Sequence, residues 1–338
     1  MRILFIGGTG TISSAITRQL ARTEHELWLL NRGTRRDEVP EGVRQIMADI
    51  NDEAEVSRLL GDIKFDCVCE FIGFVPEQVE RDFRLFAGRT RQYVFISSAS
   101  AYHKPVRNYI ISESTTLANP HWQYSRDKIA CEELLMRYYR ELQFPVTIVR
   151  PGHTYSERSV PTGLHGTKGS WQVLKRMLDG KPVLVHGDGS SLWTMTCNED
   201  FARGFIGLLG NPHAIGEAFQ IMSDESLTWN QIYETIAQAL GVPYQPYYVS
   251  SAFLAAVAPA EYDVEGNLLG DKAATVVFDC SKLKRVVPDF QTQIRFEQGV
   301  RRTLDYVLSH PECQQPDPEF DEWCDRVIAT LEEAKMKI

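Results

Sequence analysis

The sequence has no C-x-x-C pair among its seven cysteines and no apolar run near the roughly 20 residues that cross a membrane. An odd cysteine count without paired spacing fits the reduced thiols of a cytoplasm rather than a disulfide framework. Cys67 and Cys69 fall two apart on an expected strand, share a face, and read as core. No His-x-x-x-His or Cys/His spacing suggests a metal site, so none is expected. Repeats and low-complexity stretches are also missing. The first hydrophobic segment runs straight into glycines with no cleavage site, so no secretory leader is expected. Basic residues are the scarcer charge, 36 Lys and Arg against 45 Asp and Glu, for a net charge of -9. That balance argues against broad nucleic-acid binding.

What is present is an ordinary globular composition, 43% hydrophobic and 24% charged. A chain of 338 residues can bury a sizeable core in one large domain or two smaller ones. Short buried-strand runs alternate with helical spacing: RILFI (2–6), ELWLL (26–30), VRQIM (43–47), FDCVCEFIG (65–73), QYVFISSAS (92–100) and PVTIVRPG (145–152). Such alternation predicts βαβ units and, with right-handed crossovers, a Rossmann-type doubly wound parallel sheet over residues 1–152. GEAFQIMS (216–223) is expected to return a strand to that sheet. Residues 153–338 read as a smaller, mixed substrate-binding domain over the carboxyl edge of the strands. It opens with a polar, glycine-rich loop or lid (153–170), followed by a helix at 171–180 and a strand with a turn at 182–195. Thr228, with Gln231 three residues on, has capping-box spacing.

FIGGTGTIS (5–13) places Gly7 and Gly10 between the first strand and a helix N-terminus. Gly7 permits a tight turn, Gly10 lets a pyrophosphate approach the backbone, and the helix dipole favours the anion. Ser13 stands where a third glycine is usual and is small enough for close packing. Gly7, Thr9, Gly10, Thr11 and Ile12 are therefore expected to line a dinucleotide. The second strand ends in Asn31-Arg32, with Arg35 and Arg36 close behind, where NAD-preferring folds place a carboxylate. A neutral Asn31 removes repulsion of a 2′-phosphate, and Arg32 can pair with one. NADP is thus favoured over NAD. Asp49 and Ile50, after strand three, are expected near the adenine edge.

Tyr124 and Lys128 in HWQYSRDKIA (121–130) share a helix face with Cys131, Leu135, Tyr138 and Leu142, an apolar stripe expected to pack inward. A lysine in line with the core either snorkels to water or holds Tyr124 ready to lose its proton.

GGTGTIS, SSAS before YSRDK, and RPGHTYSER together resemble the extended short-chain dehydrogenase/reductase family, in its NAD-dependent epimerase/dehydratase branch. The resemblance covers about residues 1 to 240. It implies a catalytic set of Ser98, Tyr124 and Lys128, with Tyr124 as the acid–base, Ser98 orienting the substrate oxygen, and Lys128 lowering the Tyr124 pKa and bonding the nicotinamide ribose. It places Phe71, Ile72 and Gly73 beneath the cofactor, and Arg150, Pro151, Gly152 and His153 beside the nicotinamide. The implied activity is an enzymatic hydride transfer, an oxidoreductase or epimerase reaction at a carbinol of a sugar, sugar derivative or nucleotide sugar. The family also leaves a homodimer open as a partner. A nucleotide-sugar 4-epimerase is one alternative. Another is an atypical NADP-binding member that regulates or binds RNA without turnover.

Family dehydratases carry an acidic pair where this chain has Ala99 and Ser100, so dehydration by that route is not expected. Sugar-nucleotide members carry an arginine after the GDG turn, where this chain has Trp193. Lys168, Lys175 or Arg176 are left to grip a diphosphate in its place. Ser100, His103, Trp122, His153, Tyr155 and Trp193 are the expected substrate residues, beside Tyr102, because aromatic faces and imidazoles suit a sugar ring.

Overall fold

The computed structural model describes residues 1–33 and 39–337, and Arg35 and Arg36 lie outside them. The described residues form a seven-stranded parallel sheet with helices on both faces. In chain order its elements are β1 (Arg2–Ile6), α1 (Ser13–Leu20), β2 (Glu26–Asn31), β3 (Arg44–Met47), α2 (Glu53–Leu60), β4 (Cys67–Glu70), α3 (Pro76–Phe86), β5 (Tyr93–Ile96), α4 (Gln123–Leu142), β6 (Val146–Pro151) and β7 (Ala218–Ile221). The spatial order is β7-β6-β5-β4-β1-β2-β3. The chain winds outward from β1, then restarts at β4 on its other side. The carboxyl ends of β1 and β4 therefore splay their loops apart and open a crevice, the position where doubly wound sheets bind ligands. β7 pairs in parallel with β6, as the apolar run at 216–223 predicts.

Burial explains why these segments are strands. Cys67 and Cys69 point to one face, packed with Phe5, Val94 and Phe205, while Val68 joins Leu4, Phe95 and Leu135 on the other. All seven cysteines are free, and six are buried.

On α4, Cys131 and Leu135 are fully buried, and Tyr138 lies against the Phe83 ring at 4.4 Å. Leu142, expected inside, is 53% exposed, because the helix ends there with Gln143 in the left-handed region (φ 56°).

Several boundaries differ from the sequence reading. β4 stops at Glu70, so Phe71–Gly73 is loop, and β5 stops at Ile96 before a 3₁₀ turn over Ala99–Ala101. The stretch expected as a lid begins with a strand, His153–Tyr155, paired in parallel with Met195–Cys197. The strand with a turn expected at 182–195 is present, and its two arms pair apart, Val183–His186 with Pro246–Val249 and Leu192–Trp193 with Leu227–Thr228. Thr228 caps its helix as predicted, accepting from the Gln231 N–H at 3.1 Å. A separate apolar core, built around Trp193, Trp229, Phe296 and Trp323, underlies this part of the chain. No described helix is long and apolar enough to cross a membrane.

Candidate active site

A cavity of about 680 Å³ fills the crevice between the β1 and β4 loops. Gly7 turns the chain there at φ +84°, and a Cβ on it would sit 2.6 Å from Ile72 Cγ2. Ser13 does more than fit: its hydroxyl donates to the Gly7 carbonyl at 2.8 Å and accepts from the Gly10 N–H at 2.9 Å. The loop is thereby clamped to the first turn of α1. Gly7→Ala should cost about 1–2 kcal/mol of stability from the left-handed backbone and push Ile72 toward the cavity, weakening cofactor binding. Urea unfolding and a fluorescence titration with NADPH check both effects.

Gly7, Thr9, Gly10, Thr11 and Ile12 line one wall of the cavity; Asn31, Arg32, Asp49 and Ile50 line its outer end. Phe71 and Ile72 flank it, and Tyr124, Lys128 and Pro151 close the inner end. Gly73 and His153 are not on its wall. The Gly73 carbonyl faces Lys128 instead, and His153 belongs to a second cavity. Arg150 is also turned away, its guanidinium forked onto Glu132 at 2.9 and 2.6 Å in a buried pair. The residues fit a nicotinamide dinucleotide. Gly10 leaves its backbone open at a helix N-terminus, with Ser13 Oγ the nearest atom to its Cβ position, at 3.5 Å.

No motif marks the network behind the Phe71–Gly73 loop. Glu70 accepts from the Ile72 N–H at 2.5 Å and pairs with Arg81, which also bonds Asp82 and Asn51. Burial and the neighbouring Asp82 push the Glu70 carboxyl well above its usual range. Gln78, at the third position of α3, takes the Phe74 and Val75 N–H groups. These side chains set the loop that floors the cavity.

At the inner end Lys128 is 1% exposed, and its ammonium donates to the Gly73 carbonyl at 2.6 Å and the Ile96 carbonyl at 2.7 Å. Burial lowers its pKa to about 8. Its charge lies 4.7 Å from the Phe74 ring centre and 5.7 Å from that of Tyr124. The expectation that Lys128 holds the Tyr124 pKa down is not met in the cofactor-free protein. Burial raises Tyr124, the Ser98 hydroxyl offsets part of this, and the charge of Asp271 adds to the rise. Burial is the largest cause, and the Lys128 ammonium is aimed at two carbonyls rather than at the phenol.

A second cavity, about 260 Å³, meets the first at Tyr124 and Pro151. Its lining includes Ser98, Ser100, Trp122 and His153 from the expected set. Ser100 bridges Ser98 (2.9 Å) and Ser125 (2.7 Å) by hydroxyl contacts. Trp122 packs on Tyr124 at 4.9 Å and donates to Asp263. Burial drives the His153 pKa well below its usual value, so the ring is neutral, and its Nδ1 has no hydrogen-bond partner among the described residues.

Three expected substrate residues stand elsewhere. Trp193 is 1% exposed and stacks on Trp229 at 6.2 Å, inside the core. Tyr155 is turned to Phe296 and against Gly299, where any Cβ would strike its hydroxyl. His103 lies off the cavity wall, with Nδ1 2.9 Å from the Pro105 carbonyl. The basic side chains expected to replace a diphosphate grip are engaged or distant as well. Arg176 is bound to Asp321 and Asp325, Lys175 to Asp179, and Lys168 lines a separate cavity with Arg158. In their place the structure brings Asn267, Asp271 and Lys272 to the wall, from a segment about 140 residues after Tyr124 that carries no recognisable motif.

The model of the NAD dependent epimerase/dehydratase family matches residues 3–221. The chain belongs to that family and is an enzyme of it, dependent on a nicotinamide cofactor. It is 27% identical, over 86% of its length and 80% of the relative's, to the 2′-dehydrokanamycin reductase of Streptomyces kanamyceticus. It is 25% identical, over 72% of its length and 64% of the relative's, to a chloroplast stem-loop binding protein of Arabidopsis thaliana. The dTDP-glucose 4,6-dehydratase of Bacillus anthracis, solved with NAD, shares the fold at TM-score 0.72 and 18% identity, over 93% of this chain and 98% of that one.

Proposed function

We propose that the protein is an NADP-preferring oxidoreductase that interconverts a carbinol and a ketone on a carbohydrate. The observation that carries this reading is the meeting of two cavities at one phenol, a long one fit for a dinucleotide and a small polar one, with Tyr124 in both walls. The smaller space, near the lower end of ligand pockets (about 300–1,000 Å³), suits a single sugar ring. His153 and Thr154 on its wall keep a ring nitrogen and a hydroxyl without a hydrogen-bond partner among the described residues. The reductase relative, which acts on 2′-dehydrokanamycin by its name, supports a ketone reduction. The acidic net charge and the intact Ser98-Tyr124-Lys128 set weigh against RNA binding without turnover.

A bound nicotinamide dinucleotide supplies the redox equivalent. The chain's own residues handle the substrate oxygen and its proton. Ser98, held by the Ser100 N–H at 3.2 Å, presents its hydroxyl to that oxygen. Tyr124, kept protonated by its buried setting, donates a proton as the oxygen gains charge. Lys128 spends two of its three donors on carbonyls, leaving one for a ribose hydroxyl in the cavity it lines.

Arg32 forms no ion pair among the described residues, and Asn31 spends its side-chain oxygen on the Gly33 N–H at 3.0 Å. NADP should therefore bind more tightly than NAD by roughly 1.5–3 kcal/mol, the range for a charge-assisted pair. Arg32→Ala should erase most of that gap in calorimetric titrations. Equal affinities in the wild type would count against the preference. The reaction itself is tested by NADPH oxidation with a panel of ketosugars. Turnover with net NADPH consumption supports the reading; isomerisation of a sugar or nucleotide sugar without it would replace the reading with an epimerase.

A further inference from the structure

Asp271 is the one carboxylate on the wall of the small cavity, and it accepts no hydrogen bond and forms no ion pair through its side chain among the described residues. It lies on a π-helix, Glu265–Lys272, a rare form of helix found mostly at functional sites. Glycines let this helix come close: a Cβ on Gly266 would stand 2.2 Å from Trp122 Cδ1, and one on Gly270 3.0 Å from Trp122 Cβ. Trp122 in turn touches Tyr124, so the segment is packed directly behind the reacting phenol.

The neighbouring lysines make no hydrogen bond to this carboxylate, although the charges of both act on it. The Lys104 ammonium donates to the backbone carbonyl of Asp271 at 3.0 Å. The Lys272 ammonium is turned to Asn267 Oδ1 (3.2 Å) and the Gly163 carbonyl (3.5 Å). Burial lowers the pKa of both lysines, which weakens their hold as counter-ions. His153, on the same wall, is neutral. Burial raises the pKa of the Asp271 carboxyl, the charges of Lys104 and Lys272 oppose that rise, and a ligand cation placed beside it would favour the ionised form further. The same cation would also cancel the charge of Asp271 that opposes ionisation of Tyr124.

We infer that Asp271 is a substrate-binding residue that receives a protonated amine, so the preferred carbohydrate is an amino sugar with its amino group free. This rests on the carbohydrate reading above and names the substrate class of that same site. The preference is for a cationic sugar over its hydroxyl or N-acetyl counterpart, and over an anionic nucleoside-diphosphate sugar.

The test is calorimetric binding to the full-length, NADP-loaded protein. The probes are a set of methyl amino-hexosides with the amine at different ring positions, their hydroxyl and N-acetyl counterparts, and UDP-glucose. At least one amine should bind about tenfold more tightly than both of its neutral counterparts, the gain of a charge-assisted bond. Asp271→Asn should erase that gap while leaving the affinities of NADP and the neutral hexosides in place. The inference is overturned if neutral hexosides or UDP-glucose bind as well as the amines. It is overturned equally if Asp271→Asn keeps the amine preference. Binding of neutral sugars alone would remove the inference and leave the carbohydrate reading standing. Binding of NADP with no sugar of any kind would remove both.

Discussion

Tyr124→Phe should lower kcat by about 10²–10⁴-fold, the usual contribution of a positioned acid–base group, with the fold and cofactor affinity retained. The substitution removes one hydroxyl. The ring contacts to Trp122 (4.9 Å) and Phe74 (6.3 Å) are open to phenylalanine unchanged. Ser98 keeps its link to Ser100 at 2.9 Å, so the site is not left disordered. The measurement is a steady-state comparison of NADPH oxidation, together with cofactor titration of both proteins. Wild-type turnover by the variant would remove Tyr124 from the chemistry, whatever its position between the two cavities.

A second large effect should appear in stability as a function of pH. The Lys128 pKa falls from 10.5 to about 8 on folding, with burial as the main cause. Below pH 8 both folded and unfolded chains carry the proton, and the folded state bears the full cost of a buried ammonium. Between about pH 8 and 10.5 the unfolded chain binds more protons than the folded one, so stability rises with pH across this window. Above it the cost is gone. At about 1.4 kcal/mol per unit, the shift amounts to roughly 3 kcal/mol. Urea unfolding of the cofactor-free protein and of Lys128→Met, at pH 7 and again near 10.5, isolates this contribution. The other buried lysines, Lys104 and Lys272, are common to both proteins and cancel. The wild type should gain on the variant as pH rises. A difference independent of pH would show that the ammonium pays no burial cost between its two carbonyls.

Much of the nucleotide-binding half follows from local sequence. Apolar runs of four to six residues separated by helical spacing can satisfy their backbones and bury both faces only as a parallel sheet. Gly7 and Gly10 directly after the first run then place a helix N-terminus at its carboxyl end. The four-residue spacing of Tyr124 and Lys128 fixes them on one helix face, and a 20-residue α4 delivers both to the cavity. These are short-range constraints, and a chain read in order displays them.

The wall of the second cavity was decided by contacts between segments far apart in the chain. His103 and Tyr155 were expected at the substrate because imidazoles and aromatic faces suit a sugar ring, yet a side chain's direction depends on what its strand or loop packs against. Tyr155 turned to Gly299, which leaves room for its hydroxyl, and Trp193 joined Trp229 in the second core. Asp271 has no motif around it, and only the close packing of Gly266 and Gly270 on Trp122 brings its helix to the site. The direction of the Tyr124 pKa depends likewise on distant segments, since burial raises it and the charge of Asp271 adds to the rise. Sequence alone determined the sheet, the glycine turn and the pairing of tyrosine with lysine, because each depends on neighbours within a few residues. Tertiary structure alone decided which charges line the second cavity, because burial and partner choice are set by segments distant in the chain.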